Sequence, residues 1–187
     1  MTRAIFIGRQ RMIAAALLTT LGLAPAAVAA RDAGTAARPA AGEARGVASA
    51  QREARNATIV RAAFERWRAG GNVFTDLLAP DVVWTIHGSG PVAGTYRSLQ
   101  DFIERASAPL VSRLTGPVVP EVHAILADGD KVVIRFDGSA TTTSGAPYRN
   151  QFVWIFRLRD GVVVEAEAFL DLVAYQEVVE NNAPRAR

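Results

Sequence analysis

Residues 118–171 read VVPEVHAILADGDKVVIRFDGSATTTSGAPYRNQFVWIFRLRDGVVVEAEAFLD. Four runs rich in β-branched and aromatic residues are separated by turn chemistry. Asp128-Gly129 divides 118–127 from 131–142, Ser144-Gly145-Ala146-Pro147 precedes 148–159, and Asp160-Gly161 leads into 162–171. Asp-Gly between two such runs is a strong hairpin signal, so the stretch is expected to fold as a four-stranded antiparallel meander. Its strands are about ten residues or longer, where ~5–6 is usual, and strands of that length must twist and curl. Alternation assigns Tyr148, Asn150, Phe152, Trp154 and Phe156 to one face of their strand.

Upstream, the periodicity changes. Ile59, Val60, Ala63, Phe64 and Trp67 recur at helical spacing, and Gly70-Gly71 closes that helix. Val73–Leu78 reads as a short second helix and 82–87 as a strand, followed by the Gly88-Ser89-Gly90-Pro91 loop. Ser98 with Asp101 three residues on starts a third helix, whose apolar face is Leu99, Phe102, Ile103 and Ala106. A short terminal helix is expected over Leu172–Val179. Three helices, one early strand and four late strands predict an α+β fold, with helices gathered on one face of a curved antiparallel sheet.

The first 30 residues differ from everything after them. Arg3, Arg9 and Arg11 precede an uncharged apolar run from Met12 to Leu23, then Pro25 and the small-residue stretch Ala26-Ala27-Val28-Ala29-Ala30. This is the pattern of a secretory signal peptide, too short to span a bilayer, so export to the periplasm or medium is expected. Residues 31–55, rich in Ala, Gly and Arg, are expected to form a flexible segment, and 56–187 the folded domain. Cleavage after residue 30 would remove three of the 21 Lys+Arg and none of the 18 Asp+Glu. The remaining 18 of each sign leave no basic surface for nucleic acid, and no membrane span is expected after cleavage. With no cysteine, thiol catalysis, thiolate metal ligation and disulfides are excluded. His87 and His123 are far apart and form no metal motif, so neither a metal nor another cofactor is expected.

Several short segments, taken in order, carry a family resemblance. They are Val83-Trp84-Thr85-Ile86-His87-Gly88, Gly94-Thr95-Tyr96, Asp130-Lys131-Val132-Val133, Tyr148-Arg149-Asn150, Phe156 to Gly161, and Ala168-Phe169-Leu170-Asp171. Over roughly 56–180 the chain resembles the SnoaL-like branch of the nuclear transport factor 2 superfamily. The resemblance implies a cone-shaped sheet with three N-terminal helices on its concave face, a pocket between them for a small apolar molecule, and a sheet-mediated homodimer. It leaves two functions open: a cofactor-free isomerase, cyclase, dehydratase or hydrolase, or a non-catalytic binding module.

Asp171 and His87 are the candidate catalytic pair. The resemblance puts Asp171 at the end of the last strand, where an apolar pocket would raise a carboxyl pKa toward neutrality. His87 ends the first strand, and imidazole suits a proton shuttle. Each has a structural alternative: a strand-end hydrogen bond for Asp171, a loop anchor for His87. Arg135 and Asp137 share a face and, with Asp171, could copy the water-activating Arg-x-Asp plus Asp set of the superfamily's epoxide hydrolases. Parity favours an Arg135–Asp137 ion pair on the outer face instead, because Val132, Ile134 and Phe136 make the more apolar set. Tyr148 and Asn150 are candidates for orienting a ligand oxygen, and Trp84, Phe152 and Trp154 for a flat apolar lining or plain core. Glu167 and Phe169 stand where the family often has Arg and Tyr, so a phenolic proton donor is missing.

Overall fold

The structure, a computed structural model, describes residues 41–186. The signal peptide expected over residues 1–30 and the start of the segment after it lie outside these residues. Helix α1 spans Ala41–Arg68, α2 Val73–Leu77, strand β1 Leu78–Ile86 and β2 Gly94–Tyr96. Helix α3 (Leu99–Phe102) continues through a π-helical turn, Ile103–Ser107, into α4 (Ala108–Val111). Strands β3 (Val119–Asp128), β4 (Lys131–Thr141), β5 (Pro147–Arg159) and β6 (Val162–Leu170) follow, then α5 (Leu172–Asn181).

The sheet order is β2-β1-β6-β5-β4-β3, so the sheet is open at both edges. The late strands form the expected meander, with Arg159 opposite Val162 across Asp160-Gly161. Both turn residues have positive φ, 53° and 83°, as a two-residue turn matched to right-handed strand twist requires. One pairing departs from a purely antiparallel sheet: β1 lies parallel to β6, with Trp84 opposite Ala166 and Ile86 opposite Ala168. Short β2, read from sequence as loop, covers the far edge of β1. Register shifts between Val122 and Ala124, and between Arg157 and Leu158, add local twist to the long strands.

Helix α1 already covers residues 41–55, ahead of the start expected near Asn56, so the described part of the segment expected to be flexible is helical. Its Ala-, Glu- and Arg-rich composition favours helix without an apolar face, which is why periodicity passes over it. Glu53 ties this extension to the sheet by accepting from the Gly129 backbone N–H at 3.1 Å. That bond, the largest influence, lowers the Glu53 pKa, with Ser49 donating to the same carboxylate. The other end of α1 closes in a Schellman arrangement: Gly71 N–H donates to Arg66 O and Gly70 N–H to Trp67 O, with Gly70 at φ 98°.

Helices α1, α3 and α5 pack against the sheet, α1 on β3 and β4, α3 on β1, α5 on β5. The inner face of the sheet is the core: Val132, Ile134 and Phe136 on β4, Tyr148 through Leu158 in alternation on β5, and Val163, Ala166 and Ala168 on β6. Fully burying a large apolar side chain contributes ~1.5–3 kcal/mol, so this face supplies much of the stability. Trp154 is at its centre, with its ring 5.1 Å from Trp84, 4.8 Å from Phe136 and stacked on Trp67 at 5.9 Å. The π-helical turn has a local cause. Pro109 has no N–H and its ring would clash with the carbonyl four residues earlier, and a widened turn avoids both problems. The Ala106 carbonyl in that turn accepts a 2.8 Å hydrogen bond from the Tyr175 hydroxyl, joining α5 to the helical layer.

Candidate functional site

Between the helices and the inner sheet face lies a cavity of about 480 Å³, a size typical of small-molecule sites. Seven aromatic residues dominate its wall: Trp67 and Phe74 from the helical side, Phe102 from α3, Tyr175 from α5, and Trp84, Phe152 and Trp154 from the sheet. Aliphatic residues of the π-turn, α4 and the β6 inner face add to it, with Asn72 and Ser107 as its neutral polar members. Gly138 on β4 makes room nearby, since a Cβ there would come within 2.8 Å of the Phe152 ring.

Among the described residues, no Asp, Glu, His, Lys or Arg lines this cavity. Its one titratable member is Tyr175, whose hydroxyl is engaged with Ala106 O and whose pKa burial pushes well above the usual phenol value. The Asn72 Oδ1 is likewise occupied, capping α2 by accepting from Phe74 and Thr75 N–H. Among the described residues one fully buried side-chain polar atom is unmet: the indole N–H of Trp84, which packing seals from solvent, has no acceptor. Burying a donor without a partner costs about 1–3 kcal/mol.

The sequence candidates separate into three places. Trp84, Phe152 and Trp154 share the cavity wall. Arg135, Asp137, Asn150 and Asp171 instead border an open polar groove on the opposite side of the sheet, with Phe152 reaching both. His87 lines neither: its Nε2 is 2.9 Å from Glu167 Oε2, and its ring stacks on Phe169 at 4.6 Å.

Asp171 is the N-cap of α5. Its Oδ1 accepts from Val173 N–H at 2.9 Å and Ala174 N–H at 3.1 Å. The acid expected to face an apolar pocket is thus exposed and holds the orphan donors of a helix start. This separates the two readings of Asp171. Asp171→Ala is expected to cost about 1 kcal/mol in a urea melt while Asp171→Asn, which retains a cap, stays within a few tenths. Equal stability of the two variants would remove the capping role.

Arg135 donates to Asp137 on the outer face, where strand parity puts them, opposite Val153 and Gln151 of β5. The bulge in β3 lets His123 reach Asp137 as well, at 3.0 Å. The Arg135 hydrogen bond, then that of His123, holds the Asp137 carboxyl below the usual Asp value. A solvated, ion-paired carboxylate of that kind is a weak base. Tyr148 and Asn150 are buried but do not line the cavity. Asn150 donates to the Tyr148 hydroxyl at 3.0 Å and to Asp171 O at 2.9 Å, and accepts from Asp171 N–H at 2.9 Å. Burial pushes the Tyr148 hydroxyl up to about 12, against the lowering effect of the Asn150 bond. The pair therefore fixes the β6–α5 junction. Sequence reasoning missed the helical contribution to the cavity, although the apolar face named for the third helix contains Phe102, Ile103 and Ala106. Among the described residues no group of three or more His, Cys, Asp or Glu could hold a metal ion, and no helix is long and apolar enough to cross a membrane.

A sequence profile of the SnoaL-like domain matches residues 60–166, and the chain belongs to that family. Its fold is shared by Bal32a from a soil-derived mobile gene cassette, at 18% identity over 68% of this chain and 98% of that one, with a TM-score of 0.57. A candidate SnoaL-like polyketide cyclase from Jannaschia sp. CCS1 is similar at 20% identity, covering 70% and 95% of the two chains, with a TM-score of 0.54. TerC, co-crystallised with polyporic acid, is similar at 23% identity over 67% and 98%, with a TM-score of 0.55. At these identities the likeness establishes the fold and not a reaction. No curated protein matches the chain.

Proposed function

We propose that this SnoaL-like domain binds a small, uncharged apolar molecule in the cavity, without acid–base chemistry on it. The observation that carries this reading is the lining: mostly aromatic and aliphatic, with Asn72 and Ser107 as neutral polar members and, among the described residues, no carboxylate, imidazole or cationic side chain. An ionised group of the ligand would be left unpaired there, at heavy cost. Acid–base catalysis by Asp171 and His87 has less support, since one caps a helix and the other pairs with Glu167 on the outer face. The test uses an internal reporter. All three tryptophans of the chain line the cavity, so titration with naphthalene should change their emission saturably, with micromolar affinity. No change up to the solubility limit of naphthalene would overturn the reading.

We also propose that the domain is exported and works as a homodimer joined through its outer sheet face. Support for pairing comes from a stripe running from Leu126 through Val133 and Ile155, with Val153 and Phe169 beside it. Leu126 is 65% exposed and Phe169 43% exposed, in a processed chain of zero formal charge. Support for export is the charged, apolar and small-residue sequence of residues 1–30. Native mass spectrometry of protein recovered outside the cytoplasm checks both. The expected mass is twice that of a chain lacking about 30 residues. A single-copy mass rejects the dimer, and an intact N-terminus rejects cleavage.

A further inference from the structure

We propose that the C-terminal tail, residues 182–185, is a latch that holds the α4 wall of the cavity closed and so sets how fast a ligand enters and leaves. The proposal rests on the binding reading above and adds the control of access to that site. The cavity-lining residues that are exposed to solvent fall in two groups. Gly70, Gly71 and Asn72 form the turn between α1 and α2, and Ala108, Val111 and Pro117 lie in and just after α4. The mouth of the cavity is therefore between that turn and α4. α4 cannot hold its own position. It has four residues, where a self-sustaining helix needs ~12–15. It follows the π-helical turn and packs chiefly on that turn and on α5, not on the sheet. Ala108, Leu110 and Val111 all line the cavity, so an outward swing of α4 about the π-turn widens the mouth.

What fastens α4 is the tail. The Arg185 backbone N–H donates to Ser112 O at 2.8 Å, and its guanidinium to Val111 O at 3.4 Å. Arg113 bridges helix and tail, donating from Nη1 to Pro109 O at 2.8 Å and from Nε to Asn182 O at 2.9 Å. These bonds meet carbonyls that the end of a helix leaves without partners. The tail is pinned on its other side by the loop 142–146 between β4 and β5. Thr143 Oγ1 donates to Ala183 O at 2.8 Å, and Ser144 N–H to Asn182 Oδ1 at 3.3 Å. A short helix is thus tied to the sheet through the last residues of the chain, where local opening costs least. Residues 182–185 do not line the cavity, so they act on access without touching a ligand. If α4 must open before a ligand passes, entry and exit both scale with the open fraction. Weakening the latch then raises both rate constants by one factor and leaves their ratio, Kd, unchanged.

Stopped-flow tryptophan emission on mixing with naphthalene tests this. The proteins are the wild type, a chain ending at Asn181, and Thr143→Val, which removes one tail bond at a distance from the cavity. Loss of residues 182–187 is expected to raise the entry and exit rate constants alike by about tenfold, the size of one strong net hydrogen bond in the opening equilibrium. Kd should change by less than about twofold. Thr143→Val should raise both constants by a smaller common factor. Unchanged rate constants in the folded truncated protein overturn the latch and leave the binding reading intact, since naphthalene still binds. Faster exit with unchanged entry and a weaker Kd also overturns it, because the tail would then shape the wall and not gate it. A wild type that takes up no naphthalene removes the binding reading and the gate with it. A second measurement needs no ligand. The amides of Ser112, Arg113 and Leu114, which donate to Ala108, Leu110 and Val111 O, should exchange hydrogen faster in the truncated chain while β5 keeps its protection. Unchanged exchange at those three amides overturns the latch. If the truncated chain does not fold, Thr143→Val carries both measurements with the same outcomes.

Discussion

Replacing Ala168 by Phe is expected to abolish uptake of naphthalene, lowering affinity by about a hundredfold or more, while the domain stays folded. Ala168 is buried on the inner face of β6, between Ile86 of β1 and Trp154 of β5, and all three residues line the cavity. Its small side chain leaves open space in front of a wall of rings. A benzyl group there takes up volume that the ligand would occupy. In a tightly packed core the same change would cost ~1–3 kcal/mol through strain. Here it fills an existing void, and each Å³ of void removed is worth ~24 cal/mol, so the melting temperature should hold or rise. Titration by tryptophan emission, with a urea melt in parallel, separates blocked binding from unfolding. Undiminished affinity in a folded Ala168→Phe protein would mean that the ligand binds elsewhere. Ala168→Leu, with a smaller added volume, should give an intermediate loss.

Asn150→Leu is expected to be the most destabilising single change near the site, at about 2–4 kcal/mol. The Asn150 amide makes three hydrogen bonds, two of them to the backbone of Asp171 and one to the Tyr148 hydroxyl. Asn150 is 4% exposed and Tyr148 2% exposed. Leu fills similar space but leaves the Asp171 N–H and C=O without their partner, where the last strand becomes the last helix. Each buried group left unmet costs ~1–3 kcal/mol. Because α5 starts at this point, Tyr175 and its bond to Ala106 O are expected to loosen as well. Urea denaturation reads the loss directly. A change below about 0.5 kcal/mol, the level of an ordinary surface substitution, would show that the junction holds without the amide.

Much of the fold could be read from turn residues and parity. Asp128-Gly129 and Asp160-Gly161 mark both tight hairpins, and alternation along 148–158 separates the buried from the outer face of β5. The same alternation puts Arg135 and Asp137 outside. What sequence does not carry is partner choice at long range. Nothing in 82–87 says that this strand lies parallel to β6 rather than beside β3. Asp171 shows a different limit. An Asp just before an apolar helical run is an N-cap signal as much as a strand-end acid, and only the position of α5 decides between them. The cavity itself is a negative feature, the space left when helical and sheet residues fail to meet.

The parallel pairing of β1 with β6 has a consequence for how the chain acquires its structure. His87 and Glu167, in contact across this seam, are 80 residues apart in sequence. β1 can form a ladder with β2 early, but its docking edge on the main sheet does not exist until β6 has been made and has paired with β5. Closing a loop of that length precedes any gain from the contacts, so the seam belongs to the slow end of folding. Trp84 and Ile86 reach the cavity from β1, whereas Phe152, Trp154 and Ala168 come from the meander. The two halves of the cavity wall are thus brought together last, and a chain interrupted before Val162 would lack the seam and the closed cavity.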